Sequence, residues 1–143
     1  MPWQKTFSLA RRSKGCYLVT SEVVQQISDG LKDVPIGILY LFIQHTSAAL
    51  TINENADPGQ IPHKIACADM DMALDHMVPE ALDWIHTDEG PDVSHTKASV
   101  IGSTITIPIT NGKLNLGTWQ GIYLTEFRNF PHTRRIVATI LYV

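Results

Sequence analysis

The chain has 143 residues, of which 44% are hydrophobic and 17% are charged, and its formal net charge is −3. This length fits one domain, residues 1–143, with enough apolar side chains for a sizeable core. The acidic excess argues against a nucleic-acid binder, and no apolar run is long enough to cross a membrane. Without a recognisable signal peptide, we expect a cytoplasmic protein in which Cys16 and Cys67 are free thiols; a single disulfide is the less favoured alternative.

The first elements are predicted from hydrophobic periodicity. Apolar residues alternate with polar ones from Trp3 to Leu9, which indicates an opening strand. A helix is expected to start at Thr20 or Ser21, because Glu22 would then lie in the first turn, where the helix dipole favours an acid. Gly30 is the expected stop of that helix.

Residues 36–43 form an unbroken apolar run that is too short for a membrane span. The run predicts a strand buried on both faces. It leads directly into Gln44-His45-Thr46-Ser47, and the polar cluster 53–57 follows soon afterwards. Because buried polar groups are costly unless they are paired, this concentration points to a functional site.

The second half of the chain predicts one more helix and several strands. The helix is expected over residues 62–77, with Met70, Leu74 and Met77 on its apolar face. Asn111-Gly112 supplies the positive φ angles of a tight hairpin turn. Strands are expected at residues 100–101, 105–109, 114–127 and 135–143. Many strands with two principal helices indicate an α+β fold rather than a βαβ repeat.

Three histidines are candidates for metal binding. His86 and His95 bracket a loop rich in acids and turn formers, and His45 lies at a strand end. Three imidazoles with an open position are a frequent ligand set of catalytic zinc. No short His-x-His or His-x-x-x-His spacing is present, so from spacing alone loop and capping histidines are the more frequent outcome.

The cluster Glu54, Asn55 and Asp57 is a second candidate. Carboxylates near imidazoles can orient a ligand histidine, bind Mg²⁺ together with phosphates, or act as a base. The alternative is a capped turn before the second helix, since Asn and Asp satisfy their own backbone in turns.

Residues 117–121 form a third candidate, because paired glycines in a strand imply a bulge or a close approach of another group. Trp119 between them is most often a core residue. Gln120 and Glu126 have the same parity and would face a pocket together. The basic residues that could bind an anion are Lys97, Arg134 and Arg135.

A set of short motifs runs through nearly the whole chain in a fixed order. The most specific is Leu116-Gly117-Thr118-Trp119-Gln120-Gly121-Ile122. The others are residues 45–50 and 53–58, Gly90-Pro91-Asp92, His95-x-Lys97, Gly102-Ser103, Ile107-Pro108, Glu126 and Arg134-Arg135. Together these motifs resemble the YjbQ family, small proteins linked in some members to thiamine phosphate synthase activity.

The resemblance implies a β-sandwich-like α+β domain with mixed sheets and two principal helices, assembled as a homotrimer. It implies a divalent metal, zinc or magnesium, on His45, His86 and His95. It also makes the glycines around Trp119 a part of the site wall or of the trimer contact.

The implied function is the joining of a pyrimidine methyl diphosphate to a thiazole phosphate with release of diphosphate. The metal would bind diphosphate oxygens, Lys97 or Arg135 would share that charge, and Glu54 and Asp57 would orient ligands. One alternative is a zinc hydrolase of a phosphorylated or acyl metabolite, with Glu54 as base. Another is a non-enzymatic trimeric module that binds a small anionic ligand or a protein partner.

The chain departs from the family pattern in two segments. The loop from Gly90 to His95 is shorter than usual and has lost an acid. The segment 59–68 is longer and lacks the Asp-Val-Arg that commonly follows Asp-Pro. We therefore expect the position of His95 and the start of the second helix to differ from the family pattern.

Overall fold

The computed structural model describes residues 2–55, 61–87 and 92–143, and for 61–66 it describes the backbone alone. It contains eight strands and three helices in these ranges. The helices are α1 (Thr20–Leu31), α2 (Ile61–Met77) and α3 (Ser94–Ile101). The strands are β1 (Trp3–Ser8), β2 (Gly15–Leu18), β3 (Ile36–Ile43), β4 (Ala48–Glu54), β5 (Thr104–Thr110), β6 (Lys113–Leu114), β7 (Gln120–Glu126) and β8 (Arg135–Tyr142). The α+β class is confirmed, with one helix more than the two principal helices expected.

The strands form two sheets that share one core. The larger sheet has the order β1-β8-β3-β5-β6 and the smaller has the order β2-β7-β4. Leu39 of the larger sheet and Leu50 and Leu124 of the smaller sheet belong to the same buried cluster, which Ile27 of α1 completes. Every described pairing is antiparallel, so the sandwich is confirmed but its sheets are not mixed.

Strand β3 is present as predicted, but it is buried on one face only. Leu39 and Leu41 are fully buried, whereas Ile36 is 78% exposed and Phe42 is 45% exposed. The expectation of burial on both faces is therefore wrong for β3. Strand β7 has that property instead, because helices α2 and α3 pack on the outer side of its sheet.

Helix α1 begins at Thr20 as predicted but does not stop at Gly30. It continues to Leu31, and the chain reverses at Asp33, whose φ is 58°. A Cβ atom at Gly30 would lie 2.3 Å from Cδ2 of Trp3. Gly30 is therefore needed for the close approach of the indole ring of Trp3 to the helix, not for ending the helix.

Helix α2 matches its predicted range closely, but Met77 on its expected apolar face is 65% exposed. Helix α3 occupies residues 94–101, so the strand predicted at residues 100–101 is wrong. The helix ends at Gly102, whose φ is 113° and whose N–H donates to the carbonyl of Ala98. No helix in the described ranges is both long and apolar enough to cross a membrane.

The hairpin turn at Asn111 and Gly112 is confirmed, with φ angles of 51° and 74°. The strand predicted over residues 114–127 is two strands in different sheets, since β6 ends at Leu114 and β7 begins at Gln120. Strands β2 and β4 were not predicted. Each pairs with β7 along its whole length, which completes the smaller sheet.

Both cysteines are free thiols, as predicted. Cys16 on β2 is buried, and that burial raises the pKa of its thiol to about 12. The thiolate is the reactive form of cysteine, so Cys16 is unreactive at neutral pH.

We expect Gly30→Ala to destabilise the fold by about 1–3 kcal/mol, because the new methyl group overlaps the indole ring of Trp3. Urea unfolding measures the free energy of unfolding. Asp29→Ala is the matched control, since Asp29 is exposed on the same helix. Equal stability of the two variants would contradict the close packing of Trp3 on Gly30.

Candidate functional site

A cavity of about 540 Å³ opens where the chain leaves β3 and turns into β4. We name it the His45–His95 cavity. Its lining residues are His45, Thr46, Ala48, His95, Ala98, Ser99, Gly102 and Ser103. Imidazole and hydroxyl groups are therefore its polar side chains, and no described Asp or Glu lines it. This combination suits the binding of an anionic ligand.

Helix α3 supplies one wall of this cavity. His95, Ala98, Ser99 and Gly102 follow the spacing of residues on one helix face. The sequence placed His95 at the end of a loop, whereas the structure places it in the first turn of α3. Its backbone position is therefore set by helical hydrogen bonding rather than by the shortened loop.

The ring of His95 is held by a backbone carbonyl. Its Nδ1 lies 3.0 Å from the carbonyl oxygen of Thr46, an acceptor, so Nδ1 carries the proton. In the neutral ring Nε2 then keeps its lone pair as an acceptor. Nη2 of Arg128, a donor, lies 3.5 Å from that Nε2 atom, and Oδ2 of Asp92 lies 3.9 Å from it. An imidazole fixed at Nδ1 can exchange protons with a ligand through Nε2.

Arg128 is positioned beside His95 by Asp92 and Ser94. Its Nη2 lies 2.8 Å from Oδ2 of Asp92, and its Nε donates to Oγ of Ser94 over 3.1 Å. Burial disfavours the charged form of Asp92, but hydrogen bonds from Ser94 and the charge of Arg128 outweigh it and lower the pKa of the carboxyl. Asp92 is therefore ionised at neutral pH and anchors the guanidinium group of Arg128.

His45 is held at one ring nitrogen. The backbone N–H of Arg135 donates to Nε2 over 2.8 Å, so the neutral ring carries its proton on Nδ1. That Nδ1 lies 3.4 Å from Nη1 of Arg134, which is also a donor, so the contact there is not a hydrogen bond of the neutral ring. Burial of the ring, followed by the charges of Arg134 and Arg135, lowers the pKa of His45. His45 is therefore a neutral residue that joins the end of β3 to the start of β8.

Glu126 lies beneath this site rather than in the cavity. It is fully buried and accepts hydrogen bonds from Nε and Nη2 of Arg134 at 2.5 Å and 2.6 Å. Nη2 of Arg134 also donates to the carbonyl of Ser47. The prediction that Glu126 and Gln120 share one pocket is wrong, because they stand at opposite ends of β7.

The three predicted metal ligands are brought together only in part. The ring centroids of His86 and His95 are 5.5 Å apart, close enough for one bound group to touch both rings. His45 does not fit as the third ligand, because its Nε2 lone pair accepts the Arg135 amide. Within the described residues no three His, Cys, Asp or Glu side chains converge on one point. The metal therefore stays a prediction, and the donor geometry does not favour it.

The predicted cluster after β4 lies far from His45. Glu54 pairs with Gln120 in the sheet register, whereas Ala48 at the other end of β4 pairs with Glu126. Strand β4 spans about 20 Å between its ends. Glu54, Asn55 and Gln120 therefore cannot share the His45–His95 cavity, and Asp57 lies outside the described residues.

The three predicted anion-binding residues occupy different places, and Arg134 is the one paired with Glu126. Lys97 is fully buried and turned away from the cavity, with its Nζ 2.5 Å from Oδ1 of Asp75 and over the ring of Phe127. Arg135 is exposed, and its Nε donates to Oε1 of Gln44. Lys97 therefore holds α3 against α2, and only Arg135 is placed to meet a ligand.

The segment 117–121 is not a wall of the His45–His95 cavity, because it adjoins Glu54 at the other end of β4. A Cβ atom at Gly121 would lie 2.4 Å from Cδ1 of Leu18, so the expected close approach is to a neighbouring strand. Trp119 is 62% exposed and not a core residue.

Four residues of the candidate site were missed from the sequence: Ser99 and Ser103 line the cavity, and Arg128 and Ser94 lie beside His95. Arg128 could have been noticed as a charge directly after a buried strand. Nothing in the local sequence marks the serines as site residues. The roles of Ser94 and Ser99 depend on which face of α3 packs against β4.

The fold and the cavity define an α+β sandwich protein with a histidine- and hydroxyl-lined cavity at one end of its sheets. A family model described as UPF0047 protein YjbQ-like matches residues 5–142. The chain belongs to this family, and the resemblance identified from its motifs is confirmed.

Individual relatives agree with this assignment. The chain is 42% identical to the UPF0047 protein YjbQ of Escherichia coli O157:H7 over 142 residues, which cover 98% of each protein. A solved structure of an uncharacterized YjbQ/UPF0047 family protein from Clostridium acetobutylicum is 37% identical, covers 99% of both chains and has a TM-score of 0.72. A YbjQ-like protein of unknown function from Sulfolobus solfataricus P2, 22% identical over 100% of this chain and 99% of that one, shares the fold with a TM-score of 0.84.

We predict that acidification destabilises the protein through His45. Its lowered pKa means that the unfolded chain binds a proton more readily than the folded chain does. The free energy of unfolding therefore falls as the pH drops below about 6.5, with a slope below about 1.4 kcal/mol per pH unit because solvent reaches the ring. Urea unfolding from pH 8 to pH 5 measures this slope.

The matched variant is His45→Gln, whose amide oxygen can still accept the Arg135 N–H but does not titrate. Its stability should fall less between pH 7 and pH 5 than that of the wild type. A titration of His45 by NMR at or above the ordinary histidine pKa would contradict the prediction.

Proposed function

We propose that this protein binds a small phosphorylated metabolite in the His45–His95 cavity and is a group-transfer enzyme of the thiamine phosphate synthase kind. The observation that carries the proposal is the chemistry of the lining. Acidic residues outnumber basic ones in the chain, 14 to 11. The cavity is nevertheless lined by imidazole and hydroxyl groups without a described carboxylate, and Arg128 stands beside it.

The cavity volume of about 540 Å³ suits a small molecule. Arg128 is the cation of the proposed site, with Asp92 and Ser94 fixing its guanidinium group. His95 is the proton carrier of the proposed site, because Thr46 holds Nδ1 and Nε2 faces the guanidinium group of Arg128. An anionic group bound here would contact a guanidinium and an imidazole group that are already held in position. Little free energy would therefore be spent on reorganising these side chains.

In the proposed reaction the thiazole nitrogen attacks the methylene carbon of the pyrimidine methyl diphosphate. The carbon–oxygen bond breaks, and its electron pair leaves with diphosphate. Negative charge therefore grows on the leaving oxygen, where Arg128 and a protonated His95 would stabilise it. Holding both substrates in one cavity supplies the orientation that the bimolecular reaction lacks in water.

Metal chemistry is not part of this proposal, because His45 does not fit as a ligand. The alternative of a zinc hydrolase depends on the same three ligands and on Glu54 as base, and Glu54 lies at the other end of β4. The alternative of a ligand-binding module keeps the same cavity and differs only in having no turnover. The experiment below separates it from the enzyme.

We propose further that the outer face of the larger sheet packs against other copies in a homotrimer. This face carries exposed apolar side chains next to one another on β3 and β8. They are Ile36, Ile38, Tyr40, Phe42 and Leu141. Contiguous apolar surface of this kind is rare on soluble monomers and typical of association surfaces.

We expect His95→Gln to lower the formation of thiamine phosphate about 10²- to 10⁴-fold, because the proton carrier is lost. Product is measured with both phosphorylated substrates present, against a sample without enzyme. His76→Gln is the control, since His76 is exposed on α2 and lines neither wall of the cavity.

Wild-type protein that binds the substrates without forming product would contradict the enzyme and leave the binding module. Elemental analysis of the same preparations tests for the divalent metal that the family resemblance implies. A stoichiometric metal that is lost in both His86→Ala and His95→Ala would contradict the metal-free proposal.

For the trimer, we expect the double variant Ile38→Lys, Tyr40→Lys to sediment as a monomer, because two buried charges at each contact oppose association. Analytical ultracentrifugation measures the mass. Val24→Lys on α1 is the control, because it places the same charge on a different exposed apolar residue. A monomeric wild type, or an unchanged mass of the double variant, would contradict the proposal.

A further inference from the structure

A second cavity of about 540 Å³ adjoins the first. We name it the Gln44 cavity. Its lining residues are Phe42, Ile43, Gln44, His45, Thr46, Ser47 and Ser103. The two cavities share His45, Thr46 and Ser103, so a ligand could extend from one to the other. The Gln44 cavity, too, has no described carboxylate in its lining.

Gln44 is oriented by Arg135. Nε of Arg135 donates to Oε1 of Gln44 over 2.7 Å. Because the carboxamide oxygen is used in this way, the amide NH₂ of Gln44 remains as a donor. The guanidinium group of Arg135 also keeps its N–H groups at both Nη atoms. Gln44 in the lining of the cavity and Arg135 directly beside it therefore present several donors together.

Arg135 differs from the other two arginines near the histidines. Arg128 is paired with Asp92, and Arg134 is paired with Glu126. The side chain of Arg135 has an amide partner and, in the described part of the chain, no carboxylate partner. Its positive charge is therefore available to a ligand, and its planar donors match phosphate oxygens in pairs.

We infer that Arg135 and Gln44 form a second phosphate subsite, so that the ligand reaches from Arg135 past His45 to His95. This inference rests on the proposed function and extends its site for the diphosphate ester. The phosphate next to the reacting carbon stays beside His95 and Arg128, and the terminal phosphate lies in the Gln44 cavity. Arg135 is a binding residue in this arrangement.

Inorganic diphosphate is the probe, titrated calorimetrically into the full-length protein at constant ionic strength. We expect Arg135→Gln to weaken its binding at least about tenfold, because a charge-assisted pair of hydrogen bonds is lost. Arg135→Lys, which keeps the charge without the planar fork, should fall between the wild type and Arg135→Gln. Arg11→Gln is the matched control, since Arg11 is another exposed arginine and lines neither cavity.

Equal affinities of the wild type and Arg135→Gln would overturn the subsite, as would an equal loss in Arg11→Gln, which would indicate a general effect of charge. A wild type that does not bind diphosphate would overturn it as well. The proposed function is judged separately by product formation and by His95→Gln. If the wild type forms product but Arg135→Gln binds diphosphate with unchanged affinity, the proposed function stands and the subsite alone is contradicted. Unchanged thermal unfolding of each variant shows that it is folded.

Discussion

The buried ion pair of Arg134 and Glu126 is the interaction on which the functional end of the molecule depends. Buried charges are costly unless they are paired and hydrogen-bonded, and both of these groups have several hydrogen-bond partners. Glu126 also accepts the N–H of Arg128, and Arg134 also reaches the carbonyl of Ser47. One pair therefore fixes the end of β7, the turn before β4 and the start of β8, the three segments that surround His45.

Charge pairing also explains how an acidic chain forms cavities that suit an anion. Asp92 and Glu126 are each paired with an arginine, and neither carboxylate lines a cavity at this end of the molecule. On α3, Lys97 is buried against Asp75. Residues two positions apart point to different sides of a helix, so the Lys97 pair turns His95 toward the cavity. The ion pairs thus stabilise the fold and set the polarity of the cavity at the same time.

The fold was predictable where a local pattern was strong. Helices α1 and α2 and strands β3 and β8 follow their periodicity closely. The errors have a common cause. An apolar run cannot reveal whether a second layer will cover its outer face. For this reason the sequence predicts burial on both faces for β3, whereas β7 is the strand that has it. Similarly, residues 100–101 have strand-forming side chains, yet they form the last turn of α3, which ends at Gly102.

The sequence by itself determined the family and the α+β class, and it predicted His45 and His95 as site residues, because motifs and periodicity are local properties. Only the tertiary structure decided which residues share a cavity. Strand β4 separates Glu54 from His45 by about 20 Å, whereas α3 packs across β4 and brings His95 close. Ion pairing and desolvation depend on neighbours that distant segments supply. That is why the roles of Glu126, Lys97 and Arg135 could not be separated before those neighbours were known.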